Sequence, residues 1–147
     1  YYEYRTYWNL NKKLVKPHII GFWTMGSLLM SGKQPYLEMP AIGWDMYNRT
    51  GRGYIQGRIR GENMWYGETE YRFPVSKNGL LGGVAFFNLT TASDEAKQQN
   101  LANEFAAGYG FGLRIKMSKK TNTNIAIDYG MGRNGSSGIF VNLLETF

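Results

Sequence analysis

The chain has 147 residues with a formal net charge of +6, 19 glycines, no cysteine, one histidine, and 11 Tyr, 8 Phe and 4 Trp. One histidine without cysteine excludes most metal centres and nucleophile–histidine catalytic arrangements. The longest mainly apolar stretch, 19–30, is shorter than the ~20 residues that a membrane-spanning helix needs. Because the basic residues are scattered along the chain, the positive charge does not predict a nucleic-acid partner.

The first half of the chain predicts three strands and one long loop. The first strand, 1–10, alternates aromatic residues with charged and amide residues. The second, 18–30, is apolar on both faces, so the pattern leaves its register open. The segment 31–61 is punctuated by glycine and proline and is predicted to be a long loop. The third strand, 62–73, alternates outward aromatic residues with an inward charged row, Glu68, Glu70 and Arg72.

The second half predicts four more strands, at 80–89, 105–117, 121–132 and 138–147. Strands five and six alternate most regularly, with glycine, amide and charged residues on one face and apolar residues on the other. The apolar row of strand five is Phe105, Tyr109, Phe111, Leu113 and Ile115. A transmembrane β-barrel shows this pattern because its apolar residues face lipid and its polar residues face a wet lumen.

The lengths of the predicted connections give a second indication of the fold. Connections 11–17, 74–79 and 118–120 are short, whereas 31–61 and 90–104 are long. Outer-membrane barrels have short periplasmic turns and longer extracellular loops, so we expect a periplasmic C-terminus. Seven strands do not close by the usual even-numbered rule. We therefore expect an all-β, antiparallel transmembrane barrel, of which 1–147 forms the C-terminal portion of one domain.

Two motifs suggest enzymes, and neither has the context that it requires. Gly130, Gly132 and Gly135 spell GxGxxG, but a dinucleotide site needs a following helix and the sequence continues as a strand. Glu68 and Glu70 lie ~7 Å apart on one strand face, a spacing that some glycosidase pairs have. Arg72 continues that face, which favours a lumenal charge network instead. We predict no enzymatic activity, no cofactor and no metal.

An ordered series of short motifs resembles the barrel domain of the BamA/TamA-like outer-membrane assembly family, also called the bacterial surface antigen family. The matching segments are Arg52-Gly53-Tyr54, Glu70-Tyr71-Arg72-Phe73-Pro74, Phe86-Phe87-Asn88, Gly110-Phe111-Gly112-Leu113-Arg114, Asp128-Tyr129-Gly130 and Glu145-Thr146-Phe147. Two positions depart from the family pattern. Gly51 stands where an aliphatic residue is usual, and Asn88 replaces an acidic residue.

The resemblance implies that the long loop folds back into the lumen of a sixteen-stranded barrel. Arg52 of the loop motif Arg52-Gly53-Tyr54 would then dock on Glu70 and Asn88. Glu70 would contribute more of the pairing, because a carboxylate can accept two hydrogen bonds from a guanidinium. Arg60 is the competing candidate, since Ile59 supplies the aliphatic residue, although Glu62 stands where an aromatic residue is expected.

The resemblance also implies a function in inserting or translocating other outer-membrane proteins. Clients would enter by a lateral opening between the first and last strands, a form of β-augmentation. The seam and assembly signal would include Gly138, Phe140, Leu143 and Phe147. The expected partners are outer-membrane lipid, unfolded outer-membrane protein clients and periplasmic or lipoprotein accessory subunits. The alternatives are an anchor or exporter for a fused patatin-like enzyme, a passive channel and a soluble ligand-binding barrel.

Overall fold

The computed structural model describes residues 1–11, 18–45, 48–93, 98–117 and 124–143. These residues form one antiparallel sheet of seven strands, β1 (Tyr2–Asn9), β2 (Ile19–Ser27), β3 (Met64–Pro74), β4 (Leu81–Ala92), β5 (Ala106–Lys116), β6 (Asn124–Gly132) and β7 (Ser137–Asn142). Each strand pairs with its neighbours in the sequence, and the described sheet is not closed. The predicted all-β antiparallel fold is confirmed as a partial barrel.

Burial alternates along β5 as the sequence predicts. Tyr109, Phe111 and Leu113 are exposed, whereas Gly110 and Gly112 are buried against the inner side. The exposed set is apolar, and Phe111 has 65% of its surface exposed. This face is the one that a barrel turns toward lipid, and the buried face is the one that it turns toward its lumen.

The structure sets the register of β2, which the pattern left open. Trp23 pairs with Glu68 and lies with it on the inner face, together with Met25. The inner face of β2 is apolar because the long loop covers it. The cluster between the loop and the sheet contains Trp23, Met25, Ile42, Tyr54, Met64 and Tyr66. The inner wall of this barrel is therefore not uniformly polar.

Several strand boundaries differ from the prediction. β4 runs to Ala92 rather than ending at 89, because Thr91 and Ala92 continue the ladder with β3 opposite Trp65 and Met64. β7 ends at Asn142, and 144–147 lie outside the described residues, as do 121–123 of the predicted sixth strand. Within the described ranges, no helix has the length and apolar character that crossing a membrane would require.

The loop between β2 and β3 folds back on itself and covers the inner face. Its two arms run antiparallel, with Ala41 bridged to Arg60 and the Ile42 amide donating to the Ile59 carbonyl at 3.0 Å. At the tip, the Asp45 carboxylate accepts hydrogen bonds from the Thr50 amide at 2.9 Å and the Thr50 hydroxyl at 2.7 Å. This cap closes the tip and presents the next four residues to the sheet.

Candidate functional site

Arg52 lies at the apex of a tight turn in the loop. The Tyr54 amide donates to the Gly51 carbonyl at 2.9 Å, and Gly53 has φ 107°, which defines a type II turn with Arg52 at its second position. Gly51 also has a positive φ, 77°, and a Cβ at that position would lie 2.9 Å from Ile42. Glycine therefore stands at position 51 because both the backbone conformation and the Ile42 side chain exclude an aliphatic residue.

The Arg52 guanidinium is buried, with 2% of its surface exposed, and contacts three carboxylates. Its Nε and Nη2 donate to Glu68 at 3.2 and 2.5 Å. Nη2 also donates to Glu70 at 2.7 Å, and Nη1 donates to Asp128 at 2.8 Å. The Phe86 ring lies under the guanidinium, with 3.8 Å between Cζ and the ring centroid. The cation is thus held by four hydrogen bonds and by one aromatic ring.

The buried charges around Arg52 are balanced. Arg72 Nε donates to Glu70 at 2.5 Å, and Arg114 Nη1 donates to Asp128 at 2.5 Å. Three guanidinium groups therefore face three carboxylates, which is how a buried cluster avoids an uncompensated charge. Burial alone would lower the pKa of Arg52, but the three carboxylates raise the pKa well above its usual value. The guanidinium stays charged in its socket.

The loop backbone lies in a slot of glycines on β5 and β6. A Cβ at Gly130 would lie 2.5 Å from the Gly53 nitrogen, and one at Gly132 would lie 2.6 Å from the Tyr54 ring. A Cβ at Gly108 would lie 2.7 Å from the Arg52 carbonyl oxygen. The first two glycines of the GxGxxG segment therefore admit the loop rather than a dinucleotide.

Two further contacts hold the turn against the wall. The Asn88 amide nitrogen donates to the Arg52 carbonyl at 3.0 Å. The Tyr54 hydroxyl donates to the Ala107 carbonyl at 2.5 Å and accepts from the Arg133 amide at 3.0 Å. Tyr54 thus connects the loop both to β5 and to the start of the β6–β7 turn.

The three residues predicted for the docking site, Arg52, Glu70 and Asn88, are in contact in the structure. Glu70 binds the Arg52 guanidinium, whereas Asn88 binds the Arg52 backbone carbonyl. The competing residue, Arg60, donates to the Tyr36 carbonyl at 2.7 Å, and its guanidinium contacts the Tyr36 and Trp44 rings. No contact of Arg60 with the carboxylate cluster occurs among the residues that the structure describes.

The sequence reasoning missed three partners of Arg52, namely Glu68, Phe86 and Asp128. Glu68 could have been found, because it precedes Glu70 by two positions and shares its inward face. Asp128 could not have been found in this way, because no local sequence pattern indicates that side chains of β6 and β3 bind the same guanidinium. In the described parts of the chain, no group of histidine, cysteine and acidic residues is arranged to hold a metal ion.

The seam candidates lie at the edge of the sheet next to β6, on and just after β7. Gly138 and Phe140 belong to β7, and Leu143, which follows it, is exposed. Phe140 and Asn142 line a cavity of about 120 Å³ that separates β7 from the tip of the loop. Phe147 lies outside the described residues.

An antiparallel sheet with an apolar outer face, and with a loop docked on its charged inner face, defines an outer-membrane β-barrel with an inward-folded loop. The family model for the Omp85 superfamily domain matches residues 43–132, which is more than half of the chain. The chain therefore belongs to the Omp85 superfamily. Neither the curated proteins nor the solved structures give a significant match.

Membership of the superfamily carries general properties. Its members are generally non-enzymatic outer-membrane proteins with a role in outer-membrane protein assembly or translocation. They generally interact with outer-membrane protein clients and accessory subunits. The match covers the tip of the loop and β3 to β6, which together hold the Arg52 socket.

Proposed function

We propose that the chain is the C-terminal portion of a sixteen-stranded BamA/TamA-type barrel that inserts outer-membrane proteins through a lateral opening at β7. The C-terminus and the short connections would face the periplasm, and the long loop would enter the lumen from the extracellular side. Arg52, Gly53 and Tyr54 would be the loop motif, with Glu70 and Asn88 among its partners on the wall.

The observation that carries the proposal is the contrast between β7 and the strands before it. β7 has 6 residues, whereas β3, β4 and β5 have 11, 12 and 11. Six residue pairs join β7 to β6 in the described part of the chain. In the complete barrel a strand this short would form few ladder hydrogen bonds with the first strand, so that pairing could open and accept a client strand by β-augmentation.

A disulfide lock tests the lateral opening. One cysteine replaces Leu143, and a second is placed opposite it on the first strand of the complete barrel. The matched control is Leu113→Cys with Ile127→Cys, which are Cα partners on β5 and β6, away from the seam. We expect the seam lock to abolish client insertion and the control lock to leave it unchanged. Normal insertion by the locked barrel would favour a passive channel or an anchor for a fused domain.

The docked loop argues against a passive open channel. It covers the inner face from β2 to β6 through the apolar cluster and the Arg52 socket, and most of these groups are buried. A water-filled channel along this wall would require the loop to undock. Undocking would remove Arg52 from the buried carboxylates that it pairs with. The structure therefore supports insertion at the side of the barrel over transport along its lumen.

A further inference from the structure

Two arginines and two carboxylates form a closed ring of alternating charge on the inner face. Arg52 Nη2 donates to Glu70 at 2.7 Å, and the same Glu70 oxygen accepts from Arg114 Nη2 at 3.4 Å. Arg114 Nη1 donates to Asp128 at 2.5 Å, and the other Asp128 oxygen accepts from Arg52 Nη1 at 2.8 Å. Each charge in the ring therefore has two neighbours of opposite sign.

The ring connects elements that are not neighbours in the sheet. Glu70 belongs to β3, Arg114 to β5, Asp128 to β6, and Arg52 to the loop. In a flat sheet the backbones of β3 and β6 would lie about 14 Å apart, from a strand spacing of ~4.8 Å. A single guanidinium nevertheless bonds a carboxylate from each strand. The inner face must be concave for these side chains to converge.

The sheet provides room for Asp128 to reach inward. Gly112 is its Cα partner on β5, and a Cβ at that position would overlap the Asp128 carboxylate. Without a side chain at 112, Asp128 can lie across β5 toward Arg114 and the loop. A glycine in this register also favours local bending of the strand.

We propose that Asp128 is a positioning residue that makes docking of the loop depend on the curvature of β3 to β6. Arg52 has its full set of partners only when β3 and β6 are bent toward each other, and the docked loop then holds that curvature. The inference rests on the proposed function in one respect, namely that the loop belongs to the machinery for client assembly.

Thiol labelling in the intact membrane protein tests the first half of this proposal. This chain has no cysteine of its own, so Ala41→Cys introduces one thiol into it, at a position of the docked loop that is 3% exposed. Asp128→Asn should raise its reaction rate with a membrane-impermeant maleimide about tenfold or more, as expected for loss of a hydrogen bond between charged groups. Glu104→Gln, which breaks an exposed ion pair, is the matched control and should change nothing.

A double-mutant cycle separates positioning from general stability. Arg52→Gln should raise labelling at least as much as Asp128→Asn, and the double variant should label no faster than Arg52→Gln alone. Independent, multiplying effects would overturn the proposal, because Asp128 would then act without Arg52. Should Asp128→Asn not assemble, Asp128→Glu, which misplaces the carboxylate, enters the same cycle with the same criterion.

Spin labels measure the curvature itself. Labels replacing Thr69 and Tyr129, which are exposed on the outer faces of β3 and β6, report the distance between the two strands. The distance distribution should broaden in Asp128→Asn and stay narrow in Glu104→Gln. An unchanged distribution would overturn the coupling of curvature to docking. Normal client insertion by a protein with an undocked loop and a broadened distribution would instead contradict the part of the proposed function that assigns the loop to client assembly, and would leave the coupling intact.

Discussion

Replacing Arg52 with alanine should undock the loop while the strands remain paired. The substitution leaves Glu68, Glu70 and Asp128 with only two guanidinium groups in a buried site. Removing one partner from a buried charge pair costs about 3–5 kcal/mol. The lost contact with the Phe86 ring contributes a further ~0.5–2 kcal/mol, which does not simply add because the groups share the same desolvated space.

The lower end of that range already predicts a large effect. About 3 kcal/mol corresponds to a change of more than ~100-fold in the ratio of undocked to docked loop. Hydrogen exchange of the peptide 48–61, measured by mass spectrometry in lipid, reports this ratio through the amides of the turn. We expect its protection to fall by that factor, while the amides of β3 to β6 keep most of theirs.

Two variants make the result interpretable. Arg133→Gln breaks an ion pair whose side chains are half exposed, so we expect at most about 1 kcal/mol and little change in the loop peptide. Arg52→Lys keeps the charge but cannot bond several carboxylates at once, so its effect should lie between those of the other two. A loss of protection below about fivefold in Arg52→Ala would refute the argument from buried charge.

Three further substitutions test separate parts of the site and the sheet. Asn88→Asp turns a donor into a carboxylate facing the loop carbonyl and should weaken docking by about 1–3 kcal/mol, read from the same peptide. Gly130→Ala places a methyl group 2.5 Å from a loop nitrogen and should cost about 1–3 kcal/mol, whereas Gly82→Ala, with nothing nearer than 3.6 Å, should be tolerated. Leu113→Arg should destabilise the protein by about 2–4 kcal/mol in bilayer unfolding, and Leu113→Ala by clearly less, if the outer face contacts lipid.

The sheet could be predicted from the sequence because period-two alternation is a local property. Strand five illustrates this, since each inward position from Gly108 to Arg114 is either small or charged and each outward position is apolar. Strand two could not be placed in register from the sequence, because both of its faces are apolar. Its inner residues Trp23 and Met25 are apolar since they pack in one cluster with Ile42 of the loop. A barrel strand that is covered on its lumenal side therefore has the same apolar sequence pattern as a strand buried in the core of a soluble protein.

The candidate site was only partly accessible to the same reasoning. The inward parity of Glu70 follows from neighbouring residues, and Arg52 was indicated by the family resemblance, whereas Asp128 is 76 positions away from Arg52. Its place in the ring depends on the curvature of four strands and on the missing side chain at Gly112. Gly51 shows the reverse case, where an apparent departure from the family pattern follows from Ile42 occupying the space of a side chain.

The position of the proposed seam follows from where the charge network ends. The loop bonds side chains of β3, β4 and β6, and a cavity of about 120 Å³ lies between its tip and β7. An opening on the side of β7 that faces away from β6 leaves the ladder of six residue pairs between β6 and β7 in place, and it leaves every carboxylate of the socket paired. Separating any strand from β3 to β6 would instead pull Glu70 and Asp128 apart and expose unpaired charge in the wall. A loop docked on the inner face and the proposed gate on the outer side of β7 are therefore compatible, because opening the gate does not disturb the socket.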